Sequence, residues 1–148
     1  MIRELRGAID IGSGSTKIAI YLIEYEKGAK YGSIVEYLYG REQSIPFGRD
    51  YKISSTSELS TTIQDKGIAI LKEMVTHARN EFKVSKFSAI CTEVFRKANN
   101  GINYINRIQI EVSIPVTIIT QSLEAELGFN SIIAVGKLDE KKVCVWDS

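Results

Sequence analysis

The chain has 148 residues, 44% of them hydrophobic and 25% charged, enough to close one core and too few for two complete domains. Its 19 basic and 18 acidic side chains leave a formal charge of +1 with no long run of either sign. That balance offers no bulk field to DNA or to a membrane surface, so any anion site must be local.

The first stretch with chemistry in it is Gly7 to Ile20, in which two apolar, β-branched runs flank a short bend of Gly, Ser and Thr. The pattern predicts strand, tight turn and antiparallel strand. Gly12 and Gly14 are free to take φ > 0, which would let successive N–H groups converge on an anion, while Ser13, Ser15 and Thr16 add hydroxyl donors. Asp10, at the end of the first strand, would repel a phosphate there unless a cation or a water lay between them. Taken alone, the same residues also describe a plain hairpin turn with a strand-end acid.

Ile18 to Tyr25 and Tyr31 to Tyr39 continue as strands around the turn Glu26 to Lys30, giving a three-strand meander. Arg41 to Phe47 extends the sheet as far as Pro46, and Gly48-Arg49-Asp50 reads as loop. Ser57, Ser60 and Thr61 are candidate helix caps, with Ser60 favoured. Ile63, Gly67, Ile70, Met74, Ala78 and Phe82 then recur at helical spacing and predict an amphipathic helix packed on the sheet.

Phe87 to Thr92 is a short buried strand that runs into Glu93 to Gly101, and the loop after such a strand is where sites gather. A second helix is expected from Asn100 to about Gln109, with Ile102, Ile105 and Ile108 inward. Val116 to Ile119 is another strand, and a third helix follows to about Val135, with Thr120 as its cap and Glu124 in its first turn. Lys141 to Ser148 begins a strand and stops with it, so the chain reads as cut from something longer.

Met1 to Arg6 holds no apolar signal segment and no run approaches bilayer-spanning length, which predicts a cytoplasmic protein without membrane contact. Cys91 and Cys144 lack the spacing of a zinc site and are expected as reduced core residues. His77 is expected as a solvated helix residue.

Asp10-Ile11-Gly12-Ser13-Gly14-Ser15, Thr92 to Asn99 and Ile119 to Phe129, in that order and spacing, resemble the exopolyphosphatase and guanosine pentaphosphate phosphatase family. The closing Val145-Trp146-Asp147-Ser148 is similar to the strand that leads into the family's second phosphate loop. The resemblance implies an α/β lobe of the actin-like ATPase (ribonuclease H-like) fold, a mixed five-stranded sheet in the order β-β-β-α-β-α-β-α with helices packed on it. Residues 1–136 would form that N-terminal lobe and 137–148 the start of a second.

Carried over by matched position, Gly12, Ser13, Gly14, Ser15 and Thr16 resemble the first phosphate clamp, and Asp10 and Asp147 the carboxylates that hold Mg2+. Arg96 is similar to an arginine that grips phosphate oxygens, and Glu124 to the glutamate that activates the attacking water. The implied function is release of terminal phosphate from inorganic polyphosphate or guanosine pentaphosphate, with the second lobe of the same module as partner and a homodimer in the full-length form. The isolated chain would then be inactive. Alternatives are a lobe that senses such anions without turnover, or an actin-like kinase or ATPase. Three positions depart from the family pattern: Gly14 replaces an Asn, Leu123 stands where the helix start is usually acidic, and Glu93 lies close enough in sequence to compete for Arg96.

Overall fold

The structure, a computed structural model, describes residues 1–30 and 32–136, with residues 131–136 by backbone alone. Asp147, Cys144 and the expected start of a second lobe therefore lie outside the described residues.

Five strands form one mixed sheet, as the sequence predicts, and the structure sets them in the spatial order β3-β2-β1-β4-β5. β1 (Ile2–Ile11) and β2 (Ser15–Tyr25) pair antiparallel with Asp10 opposite Lys17 and Ile11 opposite Thr16. β3 (Ser33–Ser44) runs antiparallel to β2, with register shifts at Ile20/Tyr21 and Leu22/Ile23 that bend and twist this outer strand. β4 (Lys86–Cys91) joins the other side of β1 in parallel, and β5 (Val116–Ile118) pairs parallel to β4. Parallel neighbours require crossovers, and helices supply them.

Strand alternation sorts the residues by face. Ile9, Ile11, Ile18, Ile20, Phe87, Ala89 and Cys91 are buried in the core, whereas Ala8, Asp10, Lys17 and Ser88 alternate with them on the other side. The core helices are α2 (Thr61–Phe82) and α4 (Gly101–Val112), with the short α1 (Phe47–Ile53) and α3 (Glu93–Lys97) beside them. Their centre is aromatic. Phe47, Phe95 and Tyr104 meet at centroid distances of 5.0, 5.6 and 5.8 Å. Gly67 makes this possible, because a Cβ there would lie 2.2 Å from the Tyr104 hydroxyl and 2.7 Å from the Phe47 ring.

Ser60 caps α2 as expected, its hydroxyl accepting from the Ile63 N–H at 3.2 Å. The buried stripe of α2 keeps Ile63, Gly67, Met74 and Ala78 and is deepened by Ile68, Leu71 and Val75, while Ile70 and Phe82 sit at its margin. Gly48-Arg49-Asp50, expected as loop, lies inside α1. That helix has no side-chain cap; the fully buried Phe47 and the Gly48 N–H bonded to Ser13 hold it in place, and neither is a local signal. In α4, Ile105 and Ile108 face the core as expected, but Ile102 is 69% exposed and Tyr104 takes the inward place.

Cys91 is a buried free thiol, as expected, and burial raises its pKa well above the usual thiol range. His77 differs from expectation: it is half-buried against the rings of Tyr39 and Phe82, at 5.0 and 5.9 Å. Among the described residues no helix is long and apolar enough to cross a membrane.

Candidate active site

The bend after β1 is fastened from one side. Gly12 N–H donates to Ser15 O at 2.9 Å across the turn, and the carbonyls of Ser13 and Gly14 accept from Gly48 N–H at 2.7 Å and Ile45 N–H at 3.0 Å. The N–H groups of Ser13 and Gly14 donate to no backbone carbonyl among the described residues, so two amides remain for an anion.

The glycines do this without left-handed backbone, since neither Gly12 nor Gly14 has a positive φ. Gly14 borders open space, with nothing within 4 Å of where its Cβ would stand. Ser15 donates its hydroxyl to Glu42 at 2.7 Å. Thr16 points the other way: its side chain lies on the core face, fully buried, with Oγ1 unpartnered among the described residues. Its hydroxyl is turned away from any ligand at the bend, leaving Gly12, Ser13, Gly14 and Ser15 at the expected clamp.

The second group comes from the ends of β4 and β5. Thr92 starts α3, which carries Arg96. The residue after β5 leads through Thr120 into α5 (Gln121–Gly136), and Thr120 Oγ1 accepts from the Leu123 N–H at 3.2 Å, the expected cap. Parallel pairing sets these two turns side by side. Arg96 Nη1 donates to the Ile119 carbonyl at 2.5 Å and to Glu124 Oε2 at 3.2 Å. Both partners are partly buried, with side-chain exposures of 24% and 35%, so the pair is only partly screened by water. Glu93 does not compete for Arg96; it pairs with Lys97 one helical turn on.

Between α5 and the outer face of the sheet lies a cleft of about 530 Å³ that brings Asp10, Lys17, Thr92 and Glu124 together over an apolar floor that includes Ala8 and Ala19. Asp10 Oδ1 is buried and without a partner among the described residues. Burial raises the Asp10 pKa, Lys17 across the hairpin pulls it back, and the charge of Glu124 adds to the rise. The two carboxylates thus act on each other through the cleft. The bend at residues 12–16 and Arg96 do not line this cleft; Arg96 reaches it through Glu124.

Sequence reasoning did not single out Lys17 or Thr92. Counting pairs back from the bend places Lys17 opposite Asp10, so the hairpin register holds that signal. Thr92 is 8% exposed and makes no capping bond with its side chain. Among the described residues no three His, Cys, Asp or Glu side chains cluster to form a metal site. A Mg2+ ion needs less, because it retains water and is commonly bound through one or two carboxylates together with substrate phosphate. The unpartnered, buried oxygen of Asp10 fits such a contact.

Two solved structures of the Ppx/GppA protein of Aquifex aeolicus superpose on the chain with a TM-score of 0.75, at 27% and 26% identity. Each match covers 93% of this chain and 42% or 43% of the other, so the chain spans less than half the length of these relatives. An exopolyphosphatase from Cytophaga hutchinsonii shares the fold at 22% identity and a TM-score of 0.67, covering 84% of this chain and 36% of that one. No curated protein matches. The sheet is that of one lobe of the actin-like, ribonuclease H-like fold. The model of the Ppx/GppA phosphatase family matches residues 30–148, and the chain belongs to that family.

Proposed function

We propose that this lobe supplies the water-activating carboxylate and the first phosphate contacts of a Mg2+-dependent phosphohydrolase that releases terminal phosphate from inorganic polyphosphate or guanosine pentaphosphate. The observation that carries the reading is the Arg96–Glu124 pair at 3.2 Å, with Glu124 lining the cleft that also holds Asp10. The names of the solved relatives, Ppx/GppA phosphatase and exopolyphosphatase, support the same class of substrate.

The Ser13 and Gly14 amides hold phosphate oxygens from the backbone, with Ser13 adding its hydroxyl. Arg96 donates to a phosphoryl oxygen from the guanidinium that now holds Glu124 Oε2, and the exchange frees the carboxylate oxygen for a water. Glu124 then takes the proton as the water attacks in line with the leaving phosphate. Asp10, with Asp147 from outside the described residues, would hold Mg2+, which supplies charge neutralisation at the phosphate oxygens when bound. Remaining contacts come from a second lobe, so this chain alone is expected to fold and bind without efficient turnover.

The test is phosphate release from polyphosphate and from guanosine pentaphosphate by the protein of the full reading frame with Mg2+, wild type beside Glu124→Gln. Loss of a general base lowers the rate by about 10²- to 10⁴-fold. Tight binding of either substrate with no release from wild type would replace the enzyme by a sensing lobe. Unchanged release from Glu124→Gln would remove Glu124 from the chemistry.

A further inference from the structure

Arg96 stands on a helix that does not hold itself. α3 has five residues and its N-cap, Thr92, makes no side-chain bond, so local propensity leaves the position of Arg96 open. Val94 and Phe95 anchor its inner side in the core. The turn that follows it is fixed by asparagine side chains reaching to a segment about 40 residues earlier in the chain.

Asn100 makes the central contact. Its Oδ1 accepts from the Leu59 N–H at 2.9 Å and its Nδ2 donates to the Leu59 carbonyl at 2.8 Å, so one side-chain amide pairs with one residue's backbone as a neighbouring strand would. Leu59 is a rigid partner: it is 2% exposed, and it precedes Ser60, the cap of the 22-residue α2. Gln64, on the first turns of α2, donates to the same carbonyl at 2.9 Å. Asn99 adds a flanking pair, its N–H to Ser57 O at 2.9 Å and its Nδ2 to Thr56 O at 2.8 Å. On the far side of Asn100, Gly101 presses against the Phe95 carbonyl, where a Cβ would stand 2.1 Å away. The turn is therefore gripped between Leu59 and α3.

We propose that Asn100 is a positioning residue of the site: by fastening the turn after α3 to Leu59, its side-chain amide determines where Arg96 holds Glu124. Asn100 touches neither Arg96 nor the cleft; its effect travels through the turn. The inference rests on the phosphate-site reading only where phosphate affinity is the readout.

Two measurements on the chain separate the cases. In the first, without ligand, NMR follows rotation of the Arg96 guanidinium, which the Ile119 carbonyl and Glu124 restrain. Asn100→Ala should speed that rotation about tenfold, as loosening a charge-assisted hydrogen bond would. Asn100→Asp, which keeps the acceptor for Leu59 N–H and loses the donor, should fall between the two and serves if the alanine variant fails to fold. Rotation at the wild-type rate in a folded variant overturns the proposal.

In the second, tripolyphosphate affinity is measured by calorimetry in a double-mutant cycle. Asn100→Ala should weaken binding about tenfold when Arg96 is present and leave it unchanged in Arg96→Ala. An equal loss in both backgrounds means a general structural role and overturns the proposal. Absence of tripolyphosphate binding by wild type would instead refute the phosphate-site reading, and the guanidinium measurement would then decide for Asn100 alone.

Discussion

Thr16→Val exchanges a hydroxyl for a methyl at nearly constant volume, at a position the sequence assigns to the phosphate clamp and the structure places in the core. Thr16 is fully buried on β2 opposite Ile11, and its Oγ1 has no hydrogen-bond partner among the described residues. A buried hydroxyl without a partner costs about 1–3 kcal/mol of desolvation that a methyl does not incur. The β-branched shape that suits the strand is retained. The variant should therefore be more stable by about 1–3 kcal/mol. For a chain of this length that corresponds to a rise in Tm of about 2–4 °C per kcal/mol. Urea unfolding should show the same gain as a higher midpoint at unchanged slope. Tripolyphosphate affinity should not change. A stability loss of about 1 kcal/mol would mean that the hydroxyl has a partner in the folded chain. A loss of affinity at unchanged stability would return Thr16 to the clamp.

Gly101→Ala places a Cβ against the Phe95 carbonyl, a backbone atom that cannot swing aside, and should cost about 1–3 kcal/mol in urea unfolding. Gly14→Asn meets open space at a φ open to any residue, so the folded chain accepts it. It should gain up to about 1 kcal/mol from the stiffened unfolded chain, read in the same assay. Asp10→Asn tests the raised carboxyl: between its ordinary value of 3.8 and its higher folded value the native state binds more protons than the unfolded chain, so wild-type stability falls as pH rises through that window. The variant lacks that fall, so its stability relative to wild type should be higher at pH 7 than at about pH 3, where both side chains are neutral. A relative stability that does not change between those pH values would show that burial leaves Asp10 unperturbed.

What the sequence discloses and what it conceals follow from how local each signal is. The strands of the hairpin announce themselves because alternation and the Gly-Ser bend lie within one short window, and Ser60 and Thr120 are legible as caps because their partners are three residues away. α1 is hidden because its anchors, Phe47 in the aromatic centre and Gly48 on Ser13, are tertiary. Ile102 misleads because an apolar residue near a helix start satisfies the periodicity equally well on either side of Tyr104. The family resemblance marks Arg96 and Glu124 separately. Their contact spans 28 residues of sequence and exists only because β4 and β5 are parallel neighbours, which no residue spacing states. The inward turn of Thr16 is hidden for the opposite reason: at the end of a bend, a one-residue difference in where the strand resumes decides which face a hydroxyl meets.

The two register shifts in β3 also bear on how the chain behaves in concentrated solution. β3 is the outer strand, 12 residues long, and carries Ile34, Val35, Tyr37 and Leu38 exposed. A straight edge of that length and composition is a template on which further chains stack. The shifts fall at Tyr21/Ile20 and Leu22/Ile23, opposite this same apolar stretch, so the ladder is broken and twisted where self-pairing would be most favourable. An irregularity within the sheet thereby makes this edge a poorer template for pairing with a further chain.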